Sequence, residues 1–268
     1  MALMQCRCRV DVIGAGEYSC RMIIQAPTQP FATDRAGTLI YPVDNGEPLS
    51  NDTEHLKWIT FLKNGLEDWF ADRTDVFVAA DLLWYPVEGR PDICKAPDVM
   101  VVLDHPAGER QSYKQWEENQ RMPDVVFEFI SKSNTADEMM DKLDFYSDMG
   151  CREFFIYDYR RGKFSSFHRE GDVGLHKKPA AADGTWHSKL LDMTFGLDLE
   201  GRLWVRRPDG KLMETQRQLA VRAEAEALRA ESESRRAEAE ALRAEAEKSR
   251  AEKLAAKLRE LGINPDSL

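Results

Sequence analysis

The chain has no run of about 18 apolar residues, the length a membrane-spanning helix needs. Residues 1–24 also lack a continuous apolar stretch of signal-peptide length, which argues against an export signal. The cysteines, Cys6, Cys8, Cys20, Cys94 and Cys151, are odd in number, without CxxC spacing or a neighbouring Cys/His cluster. A zinc site and a disulfide framework are therefore not expected, and the compartment reads as reducing cytoplasm. There is no glycine-rich phosphate loop and no basic strip with interleaved aromatics. Positive charge is in deficit too: the net charge of −10 excludes a protein that coats nucleic acid through a broad basic surface. It does not exclude a nuclease, whose carboxylates hold cations that neutralise phosphate at the reaction centre.

What is present is globular: 43% hydrophobic and 31% charged residues over 268 positions, enough for one sizeable core with an appendage. Residues 1–36 show neither helical nor alternating periodicity and read as a poorly ordered leader. Ser50-Asn51-Asp52 offers caps for a helix over 52–71, with Leu56, Ile59, Leu62, Leu66, Trp69 and Phe70 as its apolar stripe. Strands are expected over Val76–Tyr85, Val99–Leu103, Val125–Ile130 and Phe154–Tyr157, with further pieces at Phe164–Phe167 and Leu203–Val205 that extend or edge the sheet. The connection 104–123 has room for a short helix or second turn. A second helix is predicted over 135–149, capped at Ser133-Asn134 and stopped at Gly150, with Met139, Leu143 and Tyr146 on its apolar side. This order describes an α/β domain over 37–208 with a mixed sheet flanked by helices.

From 209 to 268 the chain becomes a charged helical tail, in which RAEAEALRAE at 222–231 recurs at 236–245. Fourteen residues are two heptads, yet Val221, Leu228, Arg235, Leu242 and Ser249 alternate apolar with polar. A solvated single helix and a partner-dependent coiled coil both fit.

The informative residue is Glu128, inside the run Val125-Val126-Phe127-Glu128-Phe129-Ile130. A carboxylate in a strand apolar on both faces needs a cation, either an ion-pair partner or a metal. Asp98 opens the strand after Pro97, at a strand end, and with Glu128 supplies two oxygen ligands for Mg²⁺ or Mn²⁺. Lys142 lies on the following helix with Tyr146 one turn further along the same face. That lysine either reaches back to a metal-bound water or phosphate, or is a surface residue; Lys132 competes with it from the loop. Glu54 in the first helix and Asp81, embedded in the strand Val76–Tyr85, are accessory candidates.

Pro97-Asp98-Val99, then Pro123-Asp124-Val125-Val126-Phe127-Glu128-Phe129-Ile130-Ser131, Asp141-Lys142, Tyr146 and Cys151-Arg152-Glu153-Phe154-Phe155-Ile156-Tyr157-Asp158 together resemble the Uma-two family. That family belongs to the restriction-endonuclease-like PD-(D/E)XK nuclease superfamily, and the resemblance spans about residues 38–205. It implies a metal-dependent cut in DNA, with Asp98 and Glu128 as metal ligands and Lys142 as the basic group. The superfamily signature has lysine two residues after the second acid, where this chain has Ile130. Either the lysine has migrated to Lys142 or the site has lost its base.

The expected function is thus metal-dependent hydrolysis of DNA phosphodiester bonds. In that case Glu128→Ala abolishes cleavage and leaves the fold intact, since it removes a buried charge. The rival is a decayed nuclease fold acting as an interaction protein through 214–260. A homodimer is expected by analogy with two-strand cutters, and a membrane partner is not.

Overall fold

The computed structural model describes residues 7–12, 18–23, 27, 30–44, 46, 50, 52–131 and 134–260, and divides into two compact units, Met1–Met213 and Glu214–Leu268. In the first unit, β1 (Arg7–Val12) and β2 (Tyr18–Ile23) pair antiparallel, within the stretch read from sequence as a leader. There follow α1 (Thr53–Trp69), β3 (Val76–Ala79), β4 (Trp84–Tyr85), β5 (Val99–Leu103), β6 (Tyr113–Lys114) and β7 (Val125–Phe129). Next come α2 (Ala136–Asp148), β8 (Glu153–Asp158), β9 (Lys163–Arg169), β10 (Leu175–Lys178), β11 (Trp186–Ser188), β12 (Met193–Leu197) and β13 (Leu203–Arg206). The second unit holds α3 (Gln216–Glu260), a helix of 45 residues with none buried.

The main sheet runs β10-β9-β8-β7-β5-β3. Only β7 and β8 pair parallel, joined through α2, so the sheet is mixed as the order of elements predicts. Alternation sorts its side chains between two cores. Val99, Val101, Val125, Phe127, Phe129, Phe155 and Tyr157 face α1 and the strands β12 and β13. Met100, Val102, Val126 and Phe154 face α2, with Phe145, Tyr146 and Met149 above them. Strands apolar on both faces are what a sheet covered on both sides requires.

Several expectations change. Leu203–Val205 joins β11 and β12 in a separate three-stranded sheet instead of edging the main one. The strand expected over Val76–Tyr85 breaks into β3 and β4, because Asp81 sits in a bend with φ +49° and its N–H bonds to Pro97 O at 3.0 Å. The connection 104–123 contains β6, which pairs parallel with β4. On α1, Leu56 is 39% exposed, and His55 and Trp58 lie on the buried face instead. Asp52 caps α1, accepting from the N–H groups of Glu54 and His55. Thr135 caps α2, while Ser133 lies outside the described residues. Gly150 closes α2 with φ +93°, a left-handed conformation that favours glycine, directly beneath Met122.

Candidate active site

The register of the sheet sets up the site. In the antiparallel pair β5–β7, Val99 stands opposite Phe127, so Asp98, the residue before β5, comes next to the Glu128–Phe129 end of β7. Alternation along β7 puts Glu128, like Val126, on the side that α2 covers.

Glu128 is 2% exposed, and both its oxygens are engaged by α2. Lys142 Nζ donates to Oε2 at 2.7 Å and Tyr146 OH to Oε1 at 2.6 Å. The two donors are one helical turn apart, which lets a single helix face grip one carboxylate. Burial and the nearby Asp98 push Glu128 up from the usual carboxylate range, against the pull of the Lys142 ammonium. Burial disfavours the Lys142 charge, but Glu128 and Asp98 outweigh it and hold the amine above its ordinary value. Burial and Glu128 likewise keep the Tyr146 phenol protonated, hence a donor.

Asp98 is fixed from two sides. Its Oδ2 accepts from the Phe129 N–H at 2.6 Å and meets His55 Nε2 at 3.1 Å. His55 belongs to the first turn of α1 and stacks on Tyr159, whose hydroxyl donates to the cap residue Asp52 at 3.0 Å. Burial lowers the proton affinity of the imidazole, yet the Asp98 hydrogen bond and the charges of Asp98, Glu128 and Asp52 raise it overall. Asp81 lies in the bend before β4, where burial and the Asp98 charge push its carboxyl up to about 6.

The structure therefore brings together Asp98, Glu128, Lys142 and Tyr146 by hydrogen bonds and β-sheet register, while Asp81 feels the charge of Asp98 without a hydrogen bond to the cluster among the described residues. Glu54 does not join them; it is exposed on α1, and its side chain makes no hydrogen bond or ion pair among the described residues. Lys132 lies outside the described residues. His55 is the residue that sequence reasoning passed over; the signal for it was a histidine at a helix position beside an N-cap. Among the described residues no group of three or more His, Cys, Asp or Glu side chains is arranged to hold a metal. The donor chemistry of the Asp98–Glu128 pair nevertheless fits a hard divalent cation. Both are carboxylates at neighbouring ends of β5 and β7, and the Asp98 charge raises the proton affinity of Glu128 and Asp81, a repulsion that a cation relieves.

A mixed sheet flanked by helices, with acids gathered where β5 and β7 meet and a lysine and tyrosine supplied by the crossover helix, is a restriction-endonuclease-like α/β arrangement. Residues 36–200 match the model of the Uma2 family, described as "Putative restriction endonuclease", and the chain belongs to that family. A search of curated proteins gave no match. Among solved structures, the chain is similar to one described as "a putative nuclease belonging to DUF820" from Anabaena variabilis. The two share 11% identity with a TM-score of 0.36, over 48% of this chain and 70% of that one. No helix among the described residues is long and apolar enough to cross a membrane.

Proposed function

We propose that the protein is a metal-dependent endonuclease that hydrolyses DNA phosphodiester bonds. The observation that carries this reading is the buried Glu128 carboxylate, held 2.7 Å from Lys142 and next in the chain to Phe129, whose N–H donates to Asp98. Asp98 and Glu128 are the residues that would hold Mg²⁺ or Mn²⁺. When bound, such an ion lowers the pKa of a coordinated water and offsets charge on the phosphate.

The remaining roles belong to the chain itself. Lys142, kept charged by two carboxylates, places an ammonium where it orients the attacking water or stabilises charge developing on the phosphate. It supplies from α2 what Ile130 cannot supply from the strand. Tyr146 anchors the second Glu128 oxygen, and the Phe129 N–H with His55 fixes the Asp98 rotamer. Asp81 is an accessory ligand or water acceptor; Glu54, exposed and apart from the cluster, takes no role in this reading. DNA is the substrate class this reading takes, and a homodimer would present two such sites to two strands. The cytoplasm is the compartment that suits it.

Supercoiled plasmid and single-stranded DNA incubated with the protein in Mn²⁺ or Mg²⁺ test the reading. Metal-dependent nicking, lost in Glu128→Ala and Lys142→Ala, is the expected result; unchanged cutting by either variant removes that residue from the chemistry.

One observation favours a second reading, a decayed nuclease acting as an interaction protein through 214–260. The Glu128 oxygens are both already satisfied by Lys142 and Tyr146, so the carboxylate is neutralised without a metal. Calorimetric titration with Mn²⁺ separates the two, because a decayed site binds the ion no better than Asp98→Ala does.

A further inference from the structure

The second unit carries a pattern that the site does not use. All 45 residues of α3 are solvent-accessible, including Val221, Leu228 and Leu242 at 60%, 61% and 67% exposure. These three fall in one heptad register, which is labelled here with Val221 at position d. In that register every e position from Arg222 to Arg250 is arginine, followed by Lys257. Every g position from Glu224 to Glu252 is glutamate. The a positions are Ala225, Ser232, Ala239, Ala246 and Lys253.

A glutamate at g and the arginine five residues later at e have no use for each other within one helix. Five residues turn about 140° beyond a full circle, so the two side chains diverge. Across a parallel, in-register pair of helices the same offset is the contact: g of one chain meets e of the next heptad in its partner. Glu224 then faces the partner's Arg229, and the match repeats in every heptad to Glu252 with the partner's Lys257. In an antiparallel pair the contacts become g with g and e with e, glutamate against glutamate and arginine against arginine. Charge thus selects one orientation, while Ala225, Ala239 and Ala246 at a with Val221, Leu228 and Leu242 at d form a thin apolar seam between them.

We infer that α3 is a parallel, in-register dimerisation helix whose partner is a second copy of this chain, selected by e/g charge. Because the seam is thin and interrupted at Ser232, Arg235, Ser249 and Lys253, association depends more on those charges than on apolar burial, and salt weakens it. The nuclease reading shares only the dimer with this inference, and catalysis does not enter its test.

The full-length protein is examined by sedimentation equilibrium in low and high salt, beside the triple variants Arg229→Glu/Arg236→Glu/Arg243→Glu and Glu224→Arg/Glu231→Arg/Glu238→Arg. A dimer is expected at low salt. Its dissociation constant rises on the order of a hundredfold in either triple variant, and the equimolar mixture of the two restores association. Ser249→Cys, off the midpoint of the helix, is expected to give under oxidation a dimer whose digest contains two copies of the peptide around position 249 joined by a disulfide, which the five native cysteines cannot produce. A monomeric parent at all concentrations, a dimer indifferent to both charge reversals, or a Ser249→Cys protein that does not cross-link through position 249 overturns the inference.

Discussion

The Glu128–Lys142 pair makes a prediction that reverses the expectation from sequence that Glu128 can be removed without harm to the fold. Glu128 is 2% exposed and the Lys142 side chain 15% exposed, so deleting either partner strands the other in a poorly solvated site. Removing one member of such a pair costs about 3–5 kcal/mol. Lys142→Met should therefore lower stability by that amount at neutral pH, a fall in melting temperature of roughly 10 °C for a domain of this size. Glu128→Gln should do the same. The double variant replaces both charges and keeps an acceptor for Tyr146, so it should cost about 2–4 kcal/mol less than the sum of the singles. The lysine variant also carries a pH signature. Without the ammonium, Glu128 is raised still further above the 4.5 of an unfolded chain. Between those two values the folded state binds more protons, so stability rises as pH falls, and the penalty shrinks towards pH 4. Urea melts of the four proteins at pH 5 and 8 measure all of this. Single variants within 1 kcal/mol of the parent, or additive effects to within about 0.5 kcal/mol, would refute the reasoning.

His55→Ala should leave the fold in place but loosen Asp98, lowering the nicking rate by about 10–100-fold and raising the Mn²⁺ concentration needed for half-maximal rate. A fall in rate with unchanged Mn²⁺ dependence contradicts a role exerted through Asp98. Asp81→Asn keeps a residue that tolerates φ +49° and removes a carboxyl whose pKa is pushed up to about 6. Because that value is raised from 3.8, the native acid loses stability as pH climbs through this window. The variant should gain about 1 kcal/mol at pH 8, discounted for partial exposure, and nothing below pH 4. Equal gains at both pH values on thermal melts would show that the charge is irrelevant. Glu153, buried on β8, accepts from Ser188 Oγ and from the N–H groups of Lys189 and Leu190. Glu153→Leu leaves those donors unpaired and should cost about 2–4 kcal/mol in chemical denaturation; a loss below 1 kcal/mol means the loop before β12 is held by packing alone.

The parts of the site legible in the sequence were those announced by a violated pattern. Glu128 stood out because a charge interrupted an apolar strand, and Lys142 with Tyr146 because two polar-tipped residues one turn apart share a helix face. Asp81 was misread because strand propensity sees Val76–Tyr85 as one apolar run. The left-handed bend that breaks it depends on a hydrogen bond to Pro97, 16 positions away in sequence. His55 was missed for a different reason. The helical period admits Leu56 or His55 on the inner face, and hydrophobicity alone chooses leucine; His55 is instead held there by Asp98, 43 positions away just before β5. The sheet of β11, β12 and β13 was hidden because its short strands pair only with one another, leaving their weak patterns indistinguishable from edges of the main sheet.

Glu128 meets its two donors across sequence separations of 14 and 18 residues, within the single β7–α2–β8 crossover. Asp98 reaches that crossover across 31 residues, and His55 reaches Asp98 across 43. Shorter loops close at a smaller entropic cost, so the charged half of the site can assemble as soon as one crossover has formed, while its other half waits for distant segments. The same ordering run backwards gives the protein a mode of partial opening. Opening of the first turn of α1, which its Asp52 cap and the Tyr159 hydroxyl hold, would take His55 from Asp98 but leave Asp98 on the Phe129 N–H and the Glu128–Lys142 pair closed. Amide exchange would then be fastest at the start of α1 and slowest along β7, a gradient across a site only a few residues wide.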